Sequence, residues 1–223
     1  RLDGQAHALI GTLNATYRPS LAELGPEKAR EAYSLSSRLF DLEPRTLRAI
    51  SNRTADGPEG PIPLRIYRPN IDAYAPAIVY LHGGGFVVGD LDDYHGVCSL
   101  LAELTGCVVI SVAYRLAPEH PFPAAVEDCV AAFRWVYEHA RWLGIDTERI
   151  AVAGDSAGGN LAAVVSQQMV AHGGPVPSHQ LLIYPTTDSR GSYESMELFA
   201  EGFYLESSLV DWFSETYLQE FDD

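Results

Sequence analysis

Chemistry is concentrated in two short glycine-rich stretches. The first reads Gly154-Asp155-Ser156-Ala157-Gly158-Gly159, a G-x-S-x-G pattern that follows the apolar run from Ile150 to Ala153 and opens an alanine-rich segment. A serine at such a strand–helix junction is held on a tight, strained turn, which only small neighbours permit. The helix N-terminus beneath it offers free N–H groups and a positive dipole end to developing negative charge. The chemistry this suits is nucleophilic attack by Ser156, with the Ala157 N–H aimed at an oxyanion. The plainer alternative is a turn kept for packing or for phosphate, but neither a full G-x-G-x-x-G nor a P-loop lysine accompanies it.

The second stretch is Tyr80-Leu81-His82-Gly83-Gly84-Gly85-Phe86, directly after another apolar run. Three consecutive glycines are costly in conformational entropy. They make sense where backbone must approach a ligand closely and donate N–H groups, as an oxyanion-hole loop does upstream of a nucleophile elbow. Gly84 and Gly85 are the expected donors, with Ala157 as the third. His82 reads as a structural residue that holds the loop rather than as a general base, because it lies just ahead of the donors and would have to point away from them. The other two members of a catalytic triad are missing. With this kind of elbow the order is Ser, then Asp or Glu, then His. Downstream of Ser156 the histidines are His172 and His179, and no acid lies between Ser156 and His179.

The elements that must position these residues alternate. Apolar runs at 77–81, 108–113, 150–153 and 181–184 predict strands buried on both faces, as in a parallel sheet covered by helices. Helical patterns at about 94–104, 123–140 and 157–171 lie between them, giving βαβ units. The expected fold is therefore α/β, a mostly parallel sheet with helices on both faces. Leu64 to Tyr67 alternates apolar and polar, as a strand with one wet face would. The first fifty residues read as helical, with Pro26-Glu27-Lys28 opening one helix. A turn-rich stretch, Asp56 to Pro63, separates that region from the strands. After Pro185 a polar loop from Thr186 to Tyr193 leads to a helix at about 207–220, with Ser207 or Ser208 as its cap.

Taken together, His82-Gly-Gly-Gly-Phe86, Tyr114-Arg-Leu-Ala-Pro-Glu-His-Pro121 and Gly154-Asp-Ser-Ala-Gly-Gly159 resemble the hormone-sensitive-lipase-like esterases of the α/β-hydrolase superfamily. The resemblance covers essentially the whole chain. It implies a carboxylesterase of short- to medium-chain acyl esters, with Ser156 as nucleophile and Gly84, Gly85 and Ala157 as oxyanion donors. It also implies an α/β-hydrolase core at 46–185 beneath a helical cap made of 1–45 and 186–223. Tyr114 to Pro121 would shape a turn after the central strand. The family's acid and histidine sit on later strands, expected beyond residue 223, so the chain reads as the larger part of a longer esterase. The alternatives are a triad completed by a partner polypeptide, or a catalytically silent ligand-binding protein, a role known on this scaffold from plant gibberellin receptors. No cofactor is implied. Phe86, Val87 and Leu205 are expected to line the substrate pocket.

Composition narrows the remaining classes. Net charge is −15, with 30 acids against 15 bases and no basic stripe, which argues against nucleic acid and anionic membrane surfaces. No apolar run approaches the length of a membrane span, and the N-terminus lacks the pattern of a signal peptide, so a cytoplasmic location is expected. Three cysteines, Cys98, Cys107 and Cys129, have no regular spacing; they read as buried reduced thiols rather than a disulfide framework or zinc site. The expected partner is a small-molecule ester, and a homodimer is compatible with the sequence.

Overall fold

In the computed structural model, residues 2–15, 19–71, 74–188 and 193–219 are described. Six strands form one sheet in the order β1-β2-β4-β3-β5-β6. They are β1 (Ala49–Gly57), β2 (Gly60–Arg68), β3 (Ala75–Leu81), β4 (Val108–Val112), β5 (Ile145–Asp155) and β6 (Gln180–Ile183). β1, β2 and β4 pair antiparallel, while β4, β3, β5 and β6 run parallel. The helices are α1 (Gly4–Asn14), α2 (Leu21–Leu24), α3 (Pro26–Phe40), α4 (His95–Thr105), α5 (Ala124–Glu138), α6 (Ala157–Ala171), α7 (Glu194–Leu198) and α8 (Ser207–Leu218).

Alternation along the central strands explains why their runs are apolar throughout. In β3, Val79 and Leu81 face a core built with Cys129, Phe133 and Val136 of α5 and Leu161, Val165 and Met169 of α6. Ile78 and Tyr80 point the other way, joining Tyr94 and the α4 residues Cys98 and Ala102. Every residue of β4 is buried. Both faces are thus covered, and each fully buried aliphatic side chain contributes about 1.5–3 kcal/mol. The strands converge so that the glycine loop follows the end of β3 and Ser156 follows the end of β5.

Several expectations need correction. The N-terminal fifty residues are not helical throughout: β1 begins at Ala49 and pairs with β2 from Ala49↔Arg68 to Gly57↔Gly60. The supposed turn-rich separator is therefore the tip and two arms of a hairpin. β1 eluded the pattern because it is an edge strand, exposed along most of its length, so Asn52, Arg53 and Thr54 carry no apolar alternation. α8 is capped by Glu206 rather than by Ser207 or Ser208, and no side chain bonds to its free N–H groups. Of the polar loop expected at 186–193, residues 189–192 lie outside the described residues, as does residue 220 of the last helix. Cys98 and Cys129 are buried, but Cys107 is only half-buried. Burial pushes the Cys98 thiol up to about 12.

Candidate active site

Ser156 stands at the junction of β5 and α6 with φ 54° and ψ −118°. A non-glycine residue in that region carries about 1–3 kcal/mol of strain, which the surroundings must hold in place. They do so through the backbone. Ser156 N donates to Ile183 O at 3.0 Å, and Ser156 O accepts from Asn160 N at 3.0 Å and Thr186 N at 3.2 Å. The small neighbours are required one by one. A Cβ on Gly154 or Gly158 would come inside 3.0 Å of Leu81 O, and one on Gly159 would meet Pro185 Cβ at 2.9 Å. As the first helical residue, Ala157 has no intrahelical partner for its N–H.

The glycine loop is fixed by a different set of contacts. Because a peptide unit is planar, the bond made by one carbonyl sets the direction of the next N–H. His82 Nδ1 lies 2.7 Å from Gly83 O, which orients the Gly84 N–H. Gly84 O accepts from Val87 N and Val88 N, both at 3.0 Å, which orients the Gly85 N–H. Gly84 adopts φ 115° and Gly85 φ 59°, conformations that favour glycine. Among the described residues nothing accepts from Gly84 N or Gly85 N, whereas Gly83 N is used.

Asp155 joins the two turns. This carboxylate is only 7% exposed. Its Oδ1 accepts from Tyr80 Oη at 2.8 Å and Gly83 N at 3.1 Å, and its Oδ2 accepts from Tyr94 Oη at 3.0 Å. With its proton given to Asp155, Tyr94 Oη must accept from Tyr33 Oη of α3, 3.1 Å away. Burial and the Asp155 charge push both Tyr80 and Tyr94 well above the ordinary tyrosine range, so they remain donors. The residue between Gly154 and Ser156 thus ties the glycine loop to the Ser156 turn. Sequence reasoning missed Asp155, Tyr80 and Tyr94. The signal was the acid inside the elbow, the one polar residue that an apolar strand end would otherwise exclude.

Among the described residues no histidine hydrogen-bonds to Ser156. His82 is fully buried, stacks on Tyr114 with ring centroids 4.3 Å apart, and has its pKa lowered chiefly by burial. It is the loop-holding residue that its position implied. His172 caps the far end of α6, sixteen residues from Ser156, or about 24 Å along the helix axis. His179 accepts through its carbonyl from Val152 N, four residues before Ser156 on β5, and so precedes the start of β6 rather than following its end. Val87 is buried in the core and so does not line a pocket, while Phe86 stacks on Tyr217 at 3.8 Å and Leu205 is half-exposed. Tyr114 and Arg115 shape the turn after β4: Tyr114 Oη donates to His82 O at 2.7 Å, and Arg115 N and Nε both bond to the buried Asp128. Among the described residues no group of three or more His, Cys, Asp or Glu side chains is placed to hold a metal ion.

Over residues 78–223, which hold this serine and glycine loop, the chain matches a family model described as alpha/beta hydrolase fold. The chain belongs to that family. Among curated relatives, the carboxylic ester hydrolase LipN of Mycobacterium tuberculosis is 47% identical over 178 residues, spanning 78% of this α/β-hydrolase chain and 47% of LipN. An ethyl acetate hydrolase of Pseudomonas putida is 41% identical over 201 residues, covering 87% of this chain and 63% of that protein. The chain thus spans about half to two thirds of the length of these relatives. Among solved structures, an ester-hydrolase from the metagenome of Lake Arreo, complexed with a bipyridine phosphonate derivative, superposes with a TM-score of 0.96 at 40% identity. It covers all of this α/β-hydrolase and 72% of its own chain.

Proposed function

We propose that this α/β-hydrolase is a carboxylic-ester hydrolase acting on short- to medium-chain acyl esters through an acyl-enzyme at Ser156. The observation that carries the reading is the strained Ser156 elbow, tied by Asp155 to a glycine loop with two uncommitted N–H groups. Ser156 Oγ attacks the ester carbonyl, and the carbonyl oxygen takes negative charge while held by the N–H groups of Gly84, Gly85 and Ala157. Each such donor contributes about 3 kcal/mol to the transition state. The alcohol leaves with a proton, and water then releases the acid and restores Ser156. A serine needs a histidine base with an orienting carboxylate. We assign both to the part of the relatives' length that this chain does not span. The helical segments 1–45 and 186–223 form a cap over the 46–185 core in this reading. Support comes from the relatives whose names are those of ester hydrolases.

The test is turnover of p-nitrophenyl acetate, butyrate and octanoate by the full-length protein, with a fluorophosphonate probe and Ser156→Ala as control. Turnover of the shorter esters and labelling, both lost in the alanine variant, are the expected results. Binding of acyl esters without turnover or labelling overturns the enzyme reading and leaves a ligand-binding protein. No described helix is long and apolar enough to cross a membrane. A cytoplasmic location and a homodimer belong to the same proposal, checked by cell fractionation and light scattering.

A further inference from the structure

Arg30 looks unremarkable in the sequence, one base in a helix. In the structure its side chain crosses from α3 into the loops around the glycine stretch. Nε donates to Val87 O at 2.8 Å and Nη2 to Ala117 O at 2.8 Å. Nη1 and Nη2 also grip Glu119 at 2.9 and 2.6 Å. The planar guanidinium suits this use, because several donors are presented in one rigid fork. The two loops are also joined to each other, since Ala117 N donates to Phe86 O at 3.0 Å. The carbonyls of Phe86 and Val87 are therefore both held from outside the loop, one by the turn after β4 and one by Arg30.

That matters because Val88 N shares its peptide plane with the Val87 carbonyl that Arg30 holds. Val88 N donates to Gly84 O at 3.0 Å alongside Val87 N, and the Gly84 carbonyl in turn shares its plane with the Gly85 N–H. Clamping Val87 sets the plane of the donor. On the esterase reading above, we propose that Arg30 is a positioning residue for the oxyanion hole, so that α3 is a working support of the glycine loop as well as a cover. Arg30 itself touches no reacting atom. Its contribution is the alignment of the Gly85 N–H, which appears in the transition state and not in ground-state binding.

The test compares Arg30→Met and Arg30→Lys with wild type in the full-length protein. Arg30→Met is expected to lower kcat about tenfold to hundredfold, short of the loss of a whole donor, with KM within about twofold. Affinity for a trifluoromethyl ketone, which mimics the tetrahedral adduct, should fall in parallel, while a non-hydrolysable ether analogue should bind as before. Arg30→Lys keeps the charge against Glu119 but loses the fork, and should fall between the two. Amide hydrogen exchange at Val87 and Val88, whose N–H groups bond to Gly84 O, should accelerate in both variants. Unchanged kcat, unchanged ketone affinity and unchanged exchange, with only a lower melting temperature, would overturn the proposal. If Arg30→Met does not fold, Arg30→Lys carries the same comparison. A wild-type protein without ester turnover would sink the esterase reading instead, and the exchange rates would still report whether Arg30 holds the loop.

Discussion

The two glycine turns of this molecule do adjacent jobs but are built on opposite principles. The Ser156 elbow is made within the core: its glycines are demanded by backbone atoms of Leu81, His82, Gly154 and Gly158, and its hydrogen bonds run to the end of β6 and to the residues just beyond it. The Gly83–Gly85 loop closes its own backbone turn on Gly84 O but is otherwise held by side chains. Gly83 sits against Asp155 and Tyr94, Gly85 lies under the Phe213 ring of α8, and Val87 is tied to Arg30 of α3. The Ser156 elbow thus rests chiefly on strand and helix backbone, whereas the Gly84 and Gly85 N–H groups depend on helices at both ends of the chain. Damage to the first should appear as lost stability, and damage to the second as lost catalysis.

The contrast is sharpest in a pair of alanine substitutions. Gly158→Ala would drive a Cβ into the carbonyls of Leu81 and His82, at the end of a central strand that cannot retreat. It should cost more than about 3 kcal/mol, read as a collapse of the urea midpoint or a failure to fold. Gly85→Ala meets a side-chain ring and adopts φ 59°, at a backbone cost of about 1–2 kcal/mol. It should fold, yet lose activity by about a hundredfold or more if the Gly85 donor shifts. Adding Phe213→Ala should relieve the clash. Equal stability losses at the two glycines would erase the distinction.

This division also explains what could be read from sequence. The parallel strands, α6, the elbow and the loop were legible because local patterning dictates them: apolar runs between helices, and glycines beside a serine. β1 was not, since an exposed edge strand has no buried face to impose alternation. Arg30, Tyr33 and Phe213 were invisible for another reason. Their partners lie far along the chain, 57 residues on for Arg30 and Val87 and 61 for Tyr33 and Tyr94, so no local pattern marks them. Asp155 is the intermediate case, sitting in the motif while its role comes from Tyr80, Tyr94 and Gly83.

Asp155 therefore offers a smaller and more selective break. In Asp155→Asn the amide can accept at one position only, so one donor among Tyr80, Tyr94 and Gly83 N is left facing an N–H group. An unpaired buried donor costs about 1–3 kcal/mol, and a loss of about 2 kcal/mol by urea unfolding is expected. The loop should loosen at Gly83 while Ser156 keeps its backbone bonds, so kcat should fall more than probe labelling of Ser156. Because the groups form one network, Asp155→Asn combined with Tyr94→Phe should destabilise by less than the two single changes summed. Strict additivity would show that the tyrosines do not share the carboxylate in solution.

The gentlest test asks whether α3 is seated on the core at all, and it uses pH alone. Burial, aided by the Asp155 charge, raises the Tyr33 pKa to about 12, against an opposing hydrogen bond to Tyr94. An unfolded tyrosine titrates near 10. The folded state therefore keeps a proton that the unfolded state has lost. The stabilisation is complete below pH 10 and is lost as pH rises toward about 12, with a slope of up to about 1.4 kcal/mol per pH unit for each such tyrosine. Tyr80, Tyr94 and Tyr114 are pushed higher still, mainly by burial, so unfolding free energy should drop steeply through this window. Tyr33→Phe removes one titrating group and should make the drop shallower by about one proton's worth. An unaltered slope would mean that Tyr33 is exposed to solvent, that α3 does not dock, and that the glycine loop owes nothing to the helix that carries Arg30.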